Sequence, residues 1–211
     1  MLSTVFLILG FIVFVYSIIL HEIAHGLVAD RLGDPTARIQ GRLTLNPISH
    51  IDPLMSIFLP LFLFFSRAGI ILGAAKPVPI DPYNFQNPKK DLGLVGLAGP
   101  ITNILIALFF SIIARIFPYP VLTGFLATIV QLNLILAVFN LIPIPPLDGG
   151  RVLTAILPKE YANALSSIEN IGILIVFFLL LFPSPLFSLS KIIFAIASSI
   201  FKIIFPSMPL I

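Results

Sequence analysis

The sequence predicts an all-α polytopic membrane protein with about five transmembrane helices, a membrane-entering hairpin and a small β element. Three observations predict it. Hydrophobic residues make up 58% of the 211 and charged residues only 10%, where a soluble domain carries about a quarter charged residues. Mean hydropathy is +1.12. Apolar runs recur at roughly 1–29, 54–73, 93–117, 121–142, 165–183 and 186–205, most of them near the ~20 residues that cross a hydrocarbon core. Pro and Gly cluster at the breaks, as punctuation does. No length remains for a separate soluble domain, so 1–211 reads as one membrane domain.

The first run continues without a basic residue until Arg31 and passes Leu20 directly into His21-Glu22-Ile23-Ala24-His25. It therefore reads as a retained helix, not a cleaved signal peptide. Residues 36–45 alternate polar and apolar over ten positions, which predicts a β-strand with one apolar face. Asn46-Pro47 ends it. Asp52 and Pro53 read as N-cap and first helical residue of the next element. The 54–73 run is either one crossing or a hairpin turning near Ser66-Arg67-Ala68-Gly69. Lys76 to Pro82 is extended, since prolines this dense forbid a helix. Arg67 and Arg115 mark helix ends.

The net charge of +3 sits in the breaks between apolar runs, which suits topology-setting charge and not nucleic-acid binding. Cysteine is absent, which excludes disulfides, thiolate ligands and a cysteine nucleophile.

His21-Glu22-Ile23-Ala24-His25 is the sharpest chemical signal. On a helix, positions four apart share a face, so two imidazoles converge on one zinc ion while Glu22 is placed to take a proton from water. Ionisable groups next to a membrane-spanning run are costly and are usually functional. A third ligand is needed. His50 is one candidate, although it reads better as an interfacial loop histidine that caps the next helix start. Asp148, in the proline-broken stretch Asn140 to Gly150, is either a ligand or the N-cap of the helix that starts near Gly149, and the residues leave both open. Asn103, in Gly99-Pro100-Ile101-Thr102-Asn103, and Asn140 either orient a reacting oxygen or tie helices together.

These residues resemble the site-2 protease family of intramembrane zinc metalloproteases. The His-Glu-x-x-His helix, the Gly99 to Asn103 stretch and the Pro143 to Gly150 stretch occur in its order, and residues 36–45 and Gly73 to Ile80 look like its compact members. The resemblance covers roughly residues 10–160. It implies that His21, His25 and Asp148 bind one zinc per chain, that Glu22 is the general acid and base, and that Asn103 and Asn140 help hold substrate. It implies peptide-bond hydrolysis of a transmembrane protein substrate within or near the membrane. Larger members carry PDZ or CBS domains, and many have a helix before the zinc-binding one; this sequence shows neither.

If His25 and Asp148 share a zinc, the first helix and the 121–142 helix end on one side, and 54–73 must enter and return. That side then holds Arg31, Arg38, Arg42, Lys76, Lys89, Lys90, Arg151 and Lys159, against mainly Arg115 opposite. By the positive-inside rule the zinc side is cytoplasmic in a multi-pass cell-membrane protein. The edge of the 36–45 strand is then a place for an extended substrate to pair. A transporter or a non-catalytic scaffold is the alternative. Glu22 argues against a scaffold, because metal binding alone does not need it.

Overall fold

A computed structural model describes residues 2–66, 73, 75–182 and 188–206. The α-helices among these residues are α1 (Leu2–Arg31), α2 (Thr36–Ile39), α3 (Leu59–Phe65), α4 (Pro88–Ile116), α5 (Pro120–Asn140), α6 (Asp148–Ile156), α7 (Lys159–Ser167), α8 (Glu169–Leu181) and α9 (Leu189–Ile204).

Three described helices are long and apolar enough to cross a membrane: Thr4–Arg31, Pro88–Ile116 and Pro120–Asn140. Their outer faces are apolar. Leu7 and Phe11 on α1 and Phe109 on α4 are more than half exposed, which suits contact with lipid.

Among the described residues the last two apolar runs give no further helix that by itself is long enough to cross, so the expected count of about five crossings is not reached there. The 165–183 run is broken by Ser166, Ser167, Glu169 and Asn170, so that α7 and α8 bend by 71° and make a fourth span only if taken together. The 186–205 run yields the 16-residue α9, short of the ~20 residues a crossing needs and carrying Lys191 and Lys202.

α1 ends at Gly33, whose φ of +110° is open to glycine at little cost. The amide of Asp34 bonds back to Ala29 and that of Gly33 to Asp30, the pairing that closes a helix through a left-handed residue.

The strand expected at 36–45 is absent, and no strand occurs among the described residues. The Asp34 carboxylate accepts from the amide and hydroxyl of Thr36, which starts a turn. Gly41, at φ +64°, then closes α2 with the amides of Gly41 and Arg42 bonded to Arg38 and Ala37. Local capping outweighs ten residues of weak alternation, so the proposed substrate-pairing edge is not there.

Asp52 caps the next element as expected, accepting at 2.9 Å from the amides of both Leu54 and Met55. The chain winds through a π-type turn at Pro53–Phe58 into α3. Of the expected turning point, Arg67 to Gly69 lie outside the described residues. The two ends of the segment do meet: Gly73 packs against Pro60 and the Met55 carbonyl, and the Lys76 amide donates to the His50 carbonyl at 2.8 Å. A single crossing would set those ends about 30 Å apart.

The core lies between α4, α5 and α9, where Ala107, Ala114, Leu126, Ile129, Val130, Leu134, Ala197 and Phe205 are buried. Small residues let α4 approach its neighbours. A side chain on Gly93 would strike Ala155 of α6, and one on Gly96 would press on the Asp148 carbonyl and Arg151. Asn133 of α5 donates to Ser17 of α1 at 3.1 Å, one turn before His21.

Candidate metal centre

His21 and His25 lie on the face of α1 that packs against α4, four residues apart as the helix requires. The loop after α5 delivers Asp148 to the same point. His21 Nε2 is 3.2 Å from Asp148 Oδ2, His25 Nε2 is 3.3 Å from it, and the two Nε2 atoms are 3.1 Å apart. All three residues are buried.

The helix start bears on the alternative reading of Asp148 as a cap. Asp148 is the first residue of α6, Leu147 is the N-cap, and no side chain caps that end. The carboxylate turns to the imidazoles instead. Its Oδ2 is buried and has no hydrogen-bond donor of its own, as a ligand oxygen facing two imidazole nitrogens would be.

The arrangement fits zinc. Ligands about 2.0–2.1 Å from a tetrahedral ion stand about 3.4 Å from one another, close to the three separations observed. Two neutral imidazoles and one carboxylate are a donor set that leaves a fourth position for water or substrate. The ring orientations agree. His25 Nδ1 lies 2.7 Å from the Val95 carbonyl; a carbonyl only accepts, so Nδ1 carries the hydrogen and Nε2 keeps its lone pair toward Asp148. His21 Nδ1 meets the Asn103 amide at 3.2 Å, and the buried Asn103 Oδ1 has no other partner. Ligation through His21 Nε2 requires hydrogen on Nδ1, and an amide turned by 180° offers Oδ1 to receive it.

Glu22 lies one residue along α1. Its Oε2 accepts from the amide of Val78 at 3.0 Å, in the proline-rich segment between Lys76 and Asp81. Gly99 completes the cradle: a Cβ there would stand 2.5 Å from both ligating nitrogens.

His50 is not part of the cluster; its Nε2 donates to the Thr44 carbonyl at 2.8 Å. Asn140 donates to the Leu136 carbonyl one turn back in α5 and makes no hydrogen bond to the three ligands. Val95 and Val78 act through backbone groups and carry no mark in the sequence. Gly99 could have been found, since Gly-Pro inside an apolar helix marks a close approach.

Comparison with known proteins follows the same line. The profile of peptidase family M50 matches residues 115–183, the segment that carries Asp148. YwhC of Bacillus subtilis, provisionally named a zinc metalloprotease, is 36% identical over 185 residues, 83% of this chain and 80% of its own. Rip2 of Mycobacterium tuberculosis, with the same provisional name, is 35% identical over 80% of this chain and 64% of its own. The zinc metalloprotease MJ0392 of Methanocaldococcus jannaschii is 30% identical over 85% of this chain, which spans 44% of that protein. No solved structure gives a significant match.

Proposed function

Because the chain belongs to peptidase family M50, we propose that it is an intramembrane zinc endopeptidase, cutting membrane-anchored protein substrates within or near the bilayer. The observation that carries this reading is the convergence of His21, His25 and Asp148 within 3.3 Å of one another, beside Glu22, on a helix apolar enough to span.

Zinc held by these three residues supplies Lewis-acid polarisation of a carbonyl and activation of water. The protein's own groups do the rest. Glu22 takes the proton from the attacking water and returns it to the leaving amine. Asn103 and the Val95 carbonyl fix the two imidazoles, and a carboxylate third ligand offsets the positive charge in a low-dielectric site. A helical substrate hides its peptide bonds, so the substrate segment unwinds before it is cut. Asn140 is at the end of the helix that leads into the Asp148 loop, where it can meet such a segment.

Depth supports an intramembrane site. His25 precedes the end of α1 by six residues, about 9 Å at 1.5 Å per residue, and Gly99 is about 16 Å into α4. Both helices are about 45 Å long and overhang a ~30 Å core by about 7 Å at each end when centred on it, so the ligands lie between the core's edge and about a third of its depth. The reading places α1, α4 and α5 across the bilayer, the bent α7–α8 pair as a fourth span, and the 54–73 segment as a hairpin that enters and returns. It puts the zinc side in the cytoplasm of a multi-pass cell-membrane protein.

The test is a zinc and cleavage assay on the full chain in detergent. One zinc per chain in wild type, a large loss in Asp148→Ala, and cleavage of a quenched-fluorescent single-span peptide by wild type but not Glu22→Gln are expected. Absence of stoichiometric zinc after metal re-supply, or equal cleavage by Glu22→Gln, overturns the reading.

A further inference from the structure

Arg42 is only 8% exposed, and no carboxylate pairs with it among the described residues. A buried guanidinium without an anion is costly, so what it holds is informative. Its Nη2 donates to the Lys76 carbonyl at 2.8 Å and to the Pro77 carbonyl at 3.3 Å. Pro77 supplies the oxygen of the peptide group whose nitrogen belongs to Val78. That same N–H donates to Glu22 Oε2 at 3.0 Å. One peptide group thus stands between a buried cation and a carboxylate, polarised at its oxygen by the first and donating from its nitrogen to the second. Hydrogen bonds in such a chain strengthen one another.

The sequence of the strap serves this arrangement. Pro77 and Pro79 have no amide hydrogen, so Val78 carries the single donor of that tripeptide. Each proline also holds the residue before it extended. Val78 is buried over Gly26 of α1, which keeps the strap against the helix that carries Glu22. Arg42 itself is set by the left-handed turn at Gly41, its amide bonded to Ala37.

We propose that Arg42 is a positioning residue for Glu22, acting through the Pro77–Val78 peptide group. Holding one carboxylate oxygen leaves the other free to meet water and substrate, and the guanidinium offsets the Glu22 charge without an ion pair that would neutralise its basicity. This rests on the role of Glu22 proposed above and adds the residue that orients it.

Hydrogen exchange and kinetics on the full chain in detergent test it together. In wild type the Val78 amide is protected. Arg42→Met and Glu22→Ala both release it, with exchange about tenfold faster. Arg42→Met lowers kcat about 10- to 100-fold on the same quenched-fluorescent peptide, with KM within about twofold and one zinc per chain retained. Arg42→Lys, which keeps a charged donor, restores part of the loss. Unchanged Val78 protection and kcat in Arg42→Met overturn the proposal, as does a rise in KM with kcat kept, which would assign Arg42 to substrate. If Arg42→Met does not fold, Val78→Pro removes the donor itself: a kcat loss of about tenfold with zinc retained is expected, and wild-type kcat overturns the inference. Failure of the protease reading looks different, because Glu22→Gln would then cleave like wild type while the exchange results stand unaltered.

Discussion

A Cβ built on Gly99 would lie 2.4 Å from His21 Cε1 and 2.5 Å from the ligating nitrogens of His21 and His25. Those rings cannot retreat, because His25 is bonded to Val95 and His21 to Asn103. Gly99→Ala is therefore expected to lose zinc outright, measured as metal per purified chain, while Gly124→Ala retains it. Gly124 of α5 has nothing within 4 Å of a built Cβ, and alanine there removes up to about 1 kcal/mol of backbone-entropy cost. Asn103 makes a subtler case. Losing an outer partner of a ligating imidazole typically weakens metal binding about 10- to 100-fold. Asn103→Leu should show that loss in a chelator competition, and zinc affinity equal to wild type would remove Asn103 from the site. At this scale the side chains were legible: the i, i+4 histidines, Glu22, Asp148 and Asn103 all stand out as polar groups in an apolar chain. What was not legible is backbone. The Val95 carbonyl and the Val78 amide have no residue identity to read, and only packing shows which of them reaches the site.

At the scale of elements, the turn after α1 is held by one buried carboxylate. Asp34 accepts from the Thr36 amide and hydroxyl, from the Asp81 amide at 2.8 Å and from the Asn84 side chain at 2.8 Å. It thereby ties the end of α1 to the far end of the strap that touches Glu22. Burial pushes its pKa up, but the bonds from Thr36, Asn84 and Asp81 outweigh that and hold it below its ordinary value. A lowered carboxylate pKa contributes stability that is fully present above the unfolded value, about 3.9, and is lost as pH falls through the lower folded one. The thermal midpoint should be flat above about pH 5 and fall below about pH 4. Asp34→Asn should start lower, by about 1 kcal/mol or more, and lose that part of the acid dependence. Equal acid dependence in the two proteins would show that the clip contributes nothing. This element also shows why the strand reading failed. Period-two alternation over residues 36–45 is a weak preference that needs a partner strand, whereas Asp34 and Gly41 act within the segment itself. The capping of Asp52 was legible for the same reason, being local. The return of the 54–73 segment follows from the sequence only by requiring two distant helices to share a metal.

Across the whole molecule, charge and metal geometry make one testable statement about orientation. The ends of α1 and α5 and the start of α4 lie together around His21, His25 and Asp148, and with them lie Arg31, Arg38, Arg42, Lys76, Lys89, Lys90, Arg151 and Lys159. At the other end of α4, Arg115 donates to the Ile204 carbonyl at 3.0 Å, which puts the end of α9, with Lys202, on the opposite side. Basic residues near span ends tend to stay cytoplasmic, so the excess on the metal side predicts that this side faces the cytoplasm. A cysteine introduced at Gln86, between the strap and α4, should be shielded from a membrane-impermeant thiol reagent added to intact cells. One at Tyr119, between α4 and α5, should react. The chain has no native cysteine, so each label reports one position. Protection at Tyr119 and reaction at Gln86 would invert the molecule and place the metal centre outside. Reaction at both would mean that α4 does not cross, and the reading of this 29-residue apolar helix as a span would fall.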